Sequence, residues 1–142
     1  MHVDTILQTK GALVHTLPDT ATLADAVALL NQHNIGALVV VGDNDAVTGI
    51  LSERDIVRQI GKNASNALAL TIGEIMTRGV VTCERSTEIA EVMERMTRRR
   101  IRHMPVVEET RLIGIISIGD VVKHKIEEVE HEAEALREYI AS

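Results

Sequence analysis

The 142-residue chain contains no tryptophan, no phenylalanine and one tyrosine, Tyr139. Without aromatic faces it has nothing on which to stack bases. That excludes RNA-reading sheets and single-strand grooves built on such platforms, and it excludes aromatic cages for ammonium ligands. One cysteine, Cys83, allows neither an internal disulfide framework nor a cysteine-rich zinc site. It is expected to be a small buried apolar residue. The longest aliphatic run, Ala37–Val41, has five residues, against about 20 for a membrane span. The start, Met1-His2-Val3-Asp4-Thr5, lacks the pattern of a secretion signal. A cytoplasmic protein without membrane contact is therefore expected. The six histidines (2, 15, 33, 103, 124 and 131) do not cluster at metal-ligand spacing, so no metal is expected. There is no Walker loop, no GxGxxG and no nucleophile–base pair at usable spacing. The expectation is therefore a protein with no catalytic residues and no catalytic cofactor. Fifteen Lys and Arg against 21 Asp and Glu give a net charge of −6, no general reason to bind nucleic acid.

What the chain does have is an internal repeat. Thr16 aligns with Thr82, Ala24 with Ala90, Ile35 with Ile101 and Val40-Val41 with Val106-Val107, at a constant offset of 66. One residue is then lost in a turn. At an offset of 65, Gly49-Ile50 aligns with Gly114-Ile115, Ser52 with Ser117, Asp55 with Asp120 and Val57 with Val122. The lead-ins correspond too, Val3–Leu7 with Ile72–Met76. Two copies are too few for a solenoid. They predict two half-domains sharing one core about a pseudo-twofold axis, with residues 1–60 as the first copy, 61–71 as a connector and 72–142 as the second copy.

Each copy reads as strand, helix, strand, strand, helix, a mixed α/β (α+β) pattern. Leu23, Ala26, Val27 and Leu30 fall on one helix face, and Thr22-x-x-Asp25 forms a capping box before it. Ala37–Val41 reads as a buried strand, Gly42–Asp45 as a turn and Val47–Leu51 as its partner strand. Ile89, Val92, Met93 and Met96 repeat the helix face in the second copy. There Pro105-Val106-Val107 and Leu112–Ile116 repeat the strand pair, and a helix runs from about Gly119.

Each copy ends in Gly-aliphatic-aliphatic-Ser-x-x-Asp: Gly49-Ile50-Leu51-Ser52-Glu53-Arg54-Asp55, and Gly114-Ile115-Ile116-Ser117-Ile118-Gly119-Asp120. Two such motifs at matching places resemble a CBS-domain pair, or Bateman module, over nearly the whole chain. The resemblance implies tandem β-α-β-β-α units with two clefts between them. It also implies an adenosine-containing ligand: AMP by preference, or ATP, ADP, NAD or S-adenosylmethionine.

On that resemblance Asp55 and Asp120 face ribose, and Ser52 and Ser117 face ribose or phosphate. The same residues also suit plain helix capping. Thr16 and Thr82 are placed toward the ligand by the resemblance, though Thr is also an ordinary strand former. Ile35, Ala37 and Val39 would line an adenine slot built from aliphatic side chains and backbone groups. The basic run Arg95–His103 is the sharpest anomaly. Arg95, Arg98 and Arg99 suit a solvated helix end equally well. Arg102 and His103 precede Met104-Pro105 at a strand entrance that the resemblance places beside a cleft, where Arg102 would grip a phosphate. The first copy has Gly36-Ala37-Leu38-Val39 here, without a cation, so the clefts are not equivalent. Arg54, Arg58 and, more weakly, Lys10 are further phosphate candidates.

Val122, Ile126, Val129, Ala133, Leu136 and Ile140 form a heptad stripe near the end of the chain. It needs cover, either from the chain's own body or from a second subunit, and a homodimer is expected. The expected function is nucleotide sensing, with output in trans to an unknown protein partner. A structural dimerisation module and a small nucleotide-acting enzyme are the alternatives.

Overall fold

A computed structural model describes all 142 residues. The first copy comprises β1 (Thr16–Leu17), α2 (Leu23–His33), β2 (Ala37–Val41), β3 (Val47–Ser52) and α3 (Glu53–Lys62), preceded by α1 (Val3–Lys10). After α4 (Ile72–Ile75), the second copy comprises α5 (Ile89–Arg99), β4 (His103–Glu108), β5 (Arg111–Ser117) and α6 (Ile118–Ala141). The repeat is visible in the backbone. Both hairpins are antiparallel, pairing Ala37 with Ser52 and His103 with Ser117, and each shifts register at the same place, Val40/Val41 and Val106/Val107. Ser52 and Ser117 both cap the helix that follows, each accepting from the N–H of the Asp three residues on.

The copies differ in their first strand. β1 pairs in parallel with β2, Thr16 with Val39 and Leu17 with Val40. The second copy keeps one bridge, Cys83 with Val106. In the first copy the N–H of Val39 donates to the carbonyl of His15 at 3.5 Å. The residue matching Val39 is Pro105, which has no N–H, so the ladder cannot extend. Thr82 thus lies outside any strand, and its carbonyl accepts from Arg95 Nη1 at 2.9 Å instead.

The lead-ins are exchanged. α4 packs with the first copy: the N–H of Ile72 donates to Ala21 O and that of Gly73 to Asp19 O, and Ile72 and Met76 sit in a core with Leu23, Leu38 and Leu51. α1 packs with the second: Val3 N–H donates to Thr87 O and Asp4 N–H to Arg85 O, and Val3, Ile6 and Leu7 join Met96, Met104 and Ile116. The motif glycines make room for these segments. A Cβ on Gly49 would collide with Met76 Sδ, and one on Gly114 would lie 2.8 Å from Leu7 Cδ2.

α6 has 24 residues, about 36 Å of helix, and Val121 alone of them is buried. Ile126, Val129, Leu136 and Ile140 are each more than half exposed, so the chain's own body leaves the stripe bare. No helix is long and apolar enough to cross a membrane.

Candidate functional site

The second copy's strand entrance meets the first copy's motif helix across the pseudo-twofold axis. A Cβ on Gly36 would lie 3.2 Å from Glu53 Oε1 and 3.5 Å from the His103 ring, so glycine permits this close approach. Beside it opens a cleft of about 610 Å³, lined by the start of α3 (Ser52–Asp55 and Arg58), by Gly36, Ile50 and Thr77, and by residues 99–103. Thr77 closes one edge through paired backbone hydrogen bonds with Ile50, at 2.9 and 3.0 Å.

Six of the candidate residues thus come together: Ser52, Arg54, Asp55, Arg58, Arg102 and His103. Asp55 Oδ2 accepts from Ser52 N at 2.9 Å and Ser52 Oγ at 3.1 Å. The carboxylate therefore completes the helix cap through one oxygen, and Oδ1 makes no bond within the chain. Arg102 is exposed and without an internal partner. His103 is half-buried. Its imidazole is pushed below its ordinary pKa of 6.5, first by burial and then by the nearby Lys10 cation, against the opposing charges of Glu53 and Asp120.

Other candidates do not line this cleft. Ala37, Val39, Met104 and Pro105 are buried. None of the four is among the residues that line it. Ile35 packs against the first core. Thr16 is exposed on β1, and Thr82 is tied to Arg95. Cys83 is buried, with burial raising its thiol to about 12, so it is an inert core residue.

Ser117 and Asp120 stand at the pseudo-equivalent place, where the chain supplies its own cation. Lys10 Nζ lies 2.6 Å from Asp120 Oδ2 and donates at 2.9 Å to the carbonyl of Ile115. Ile115 matches Ile50, whose carbonyl accepts from the Thr77 N–H in the first cleft. Burial pushes the Asp120 carboxyl up, but hydrogen bonds from Lys10 and Ser117 outweigh it and hold the group below the usual carboxylate value.

The sequence reading missed Thr77 and Arg100 as lining residues and left Arg99 open between the cleft and a solvated helix end. Arg99 had a readable signal. Arg95 and Arg98 pair with Glu91 and Glu94 one turn back, whereas Arg99 has Arg95 at that spacing and stays free.

A motif cleft between two pseudo-symmetric copies, the first β-α-β-β-α and the second with its opening strand reduced to one bridge, defines a class, and comparison with known proteins gives its name. The CBS domain family model matches twice, at residues 13–62 and 72–127. The chain belongs to the CBS-domain family and carries a tandem pair. It is 41% identical over 123 residues to the mitochondrial CBS domain-containing protein CBSX3 of Arabidopsis thaliana, covering 84% of this chain and 60% of that one. The chain therefore spans somewhat under two thirds of that relative's length. The crystal structure of the CBS-domain protein ATU1752 from Agrobacterium tumefaciens superposes with a TM-score of 0.84 at 39% identity, covering 88% of this chain and 99% of that one. The CBS domain pair of protein MJ0100, solved in complex with 5'-methylthioadenosine and S-adenosyl-L-methionine, superposes with a TM-score of 0.81 at 27% identity, covering 90% and 98%.

Proposed function

We propose that this CBS pair is a non-catalytic regulatory module that binds an adenine nucleotide in the Ser52–His103 cleft and signals to a protein partner in trans. The observation that carries the reading is the cleft's composition. A helix-capping carboxylate with a free oxygen suits the paired hydroxyls of ribose, and the unpaired Arg102 beside it suits phosphate. The adenosine-type ligands of the MJ0100 pair support it. The start of α3 adds a dipole favourable to anions. A bound nucleotide would touch both copies, α3 of the first and the β4 entrance of the second, and so would stabilise one relative arrangement. Partner affinity and nucleotide affinity then influence each other reciprocally.

The exposed α6 stripe supports a homodimer as part of the same reading, since an apolar strip of this length calls for cover. Its Glu-rich flanks disfavour two such helices lying parallel in register. Calorimetry with AMP tests the first part: micromolar or tighter binding is expected, and no heat with AMP, ATP, NAD or S-adenosylmethionine would leave only a dimerisation module. Sedimentation tests the second: Val129→Asp with Leu136→Asp should give monomer, and a dimeric, folded double variant would place the interface elsewhere.

A further inference from the structure

The cleft holds more positive charge than a nucleoside monophosphate needs. Arg54 and Arg58 reach it from α3, Arg99 and Arg100 from the end of α5, and Arg102 from the β4 entrance. None of the five makes an ion pair with the chain, while Arg95 and Arg98 on the same helix are both paired. The carboxylates lining the cleft are Glu53 and Asp55. Five guanidinium groups against two carboxylates leave an excess of three positive charges, in a chain whose net charge is −6. Clustered like charges repel, and here the chain's own carboxylates offset only two of the five.

The repeat itself does not require this cluster. The residues matching Arg54, Arg58, Arg99, Arg100 and Arg102 are Gly119, Lys123, His33, Asn34 and Gly36, which include one lysine and no arginine. His33 is moreover stacked on His15, ring centroids 3.6 Å apart. Arg100 makes the contrast sharp. It sits in the left-handed region at φ 54°, where the other copy has Asn34 at φ 51°. Asn tolerates that conformation well and Arg does not, so local backbone preference does not account for an arginine there.

We infer, resting on the adenine-nucleotide reading above, that the ligand is a nucleoside polyphosphate. The arginine arc receives a chain of two or more phosphates, and a cationic sulfonium nucleoside is disfavoured. A monophosphate carries about −2 at neutral pH, short of the excess of three, whereas di- and triphosphates match or exceed it. Paired guanidinium–phosphate hydrogen bonds are strong and directional, so each added phosphate gains its own partners. The cleft's volume lies within the range of about 300–1,000 Å³ usual for small-molecule sites.

The test is calorimetry on the full chain in magnesium-free buffer with adenosine, AMP, ADP, ATP, S-adenosylmethionine and inorganic tripolyphosphate. Affinity should rise about tenfold for each phosphate from AMP to ATP, with a steeper loss in salt for the longer chains. Arg99→Gln with Arg100→Gln changes two exposed side chains and should compress the ATP-to-AMP affinity ratio by at least about tenfold. Equal affinities for AMP and ATP, or tighter binding of S-adenosylmethionine than of ATP, would overturn the polyphosphate assignment and leave the adenine-nucleotide reading standing. Tripolyphosphate binding as tightly as ATP would overturn that reading, and the nucleoside part of this inference with it.

Discussion

Asp55 faces an open cleft with one carboxylate oxygen free and five unpaired arginines around it, whereas Asp120, its counterpart, is clamped by the chain's own Lys10. The backbone is nearly the same at both: the same hairpin register, the same serine cap, the same hydrogen bond from Ser to Asp. Duplication thus supplies the geometry of a helix-capping carboxylate twice. Whether the carboxylate is available to a ligand depends on residues outside the motif. At Asp120 an internal ammonium sits on Oδ2, the oxygen that also caps the helix, so the carboxylate is already neutralised from within the chain, and the guanidinium groups are absent.

The largest expected effect is a direct contrast. Asp55→Ala should weaken AMP binding by ten- to a hundredfold, since hydrogen bonds to a charged group contribute about 1.5–3 kcal/mol. Asp120→Ala should leave the measured affinity within about twofold, because Lys10 already neutralises that carboxylate. Equal losses in calorimetry would mean that both clefts bind and that Lys10 yields to the ligand.

Next comes the phosphate. Arg102→Ala should cost AMP about tenfold and adenosine much less, and equal losses for both would show that Arg102 acts on the shape of the cleft. Lys10→Ala sharpens the comparison from the other side. It should raise the stoichiometry from one nucleotide per chain to two, the second binding weakly, at a stability cost of about 1 kcal/mol or less for a partly exposed pair. A stoichiometry that stays at one would mean that the second cleft lacks more than a vacant carboxylate.

The smallest effect is on pH dependence. His103 has a folded pKa below its ordinary 6.5, so the unfolded chain binds the proton more readily. Its contribution is intact above about pH 6.5 and is lost as the pH falls below that value. Asp120 is displaced in the same direction, so its contribution is present above the ordinary carboxylate value of 3.8 and is lost only as the pH falls through its lower folded pKa. Thermal melts should therefore show two separate windows of destabilisation. His103→Gln should flatten the one that opens below about pH 6.5, and Lys10→Ala the more acidic one.

Much of this fold was legible because the repeat constrains two segments at once. The strand pairs, the capping boxes at Thr22, Ser52 and Ser117 and the buried Cys83 all follow from local patterns. The lost first strand of the second copy was legible in principle, since Pro105 stands where Val39 donates, but a strand was expected at Thr82 because the flanking pattern matched. The exchange of lead-ins was not legible. Val3–Leu7 and Ile72–Met76 have similar composition, and either could pack on either copy by pattern alone. Nor does any local signal join Lys10 to Asp120 across 110 positions. That contact follows from the exchange, because α1 delivers its last residue to the second copy's hairpin. Within the candidate site, Ser52, Asp55 and Arg102 came from motif and anomaly, while Thr77 is set by backbone pairing that leaves no mark on composition.

The exchanged lead-ins also set an order of events during folding. When residues 16–62 have emerged from the ribosome, α4 follows within about a dozen residues and can close the first core at once. α1 has no such partner. Its docking surface is built from residues 83–121, so Val3, Ile6 and Leu7 must wait, unburied, through most of synthesis. A segment made before both copies is thus among the last to be placed, and contacts that span so much sequence form slowly. Removing α1 should therefore leave the first half able to form its core while exposing the second, a kinetic asymmetry hidden inside a nearly symmetric structure.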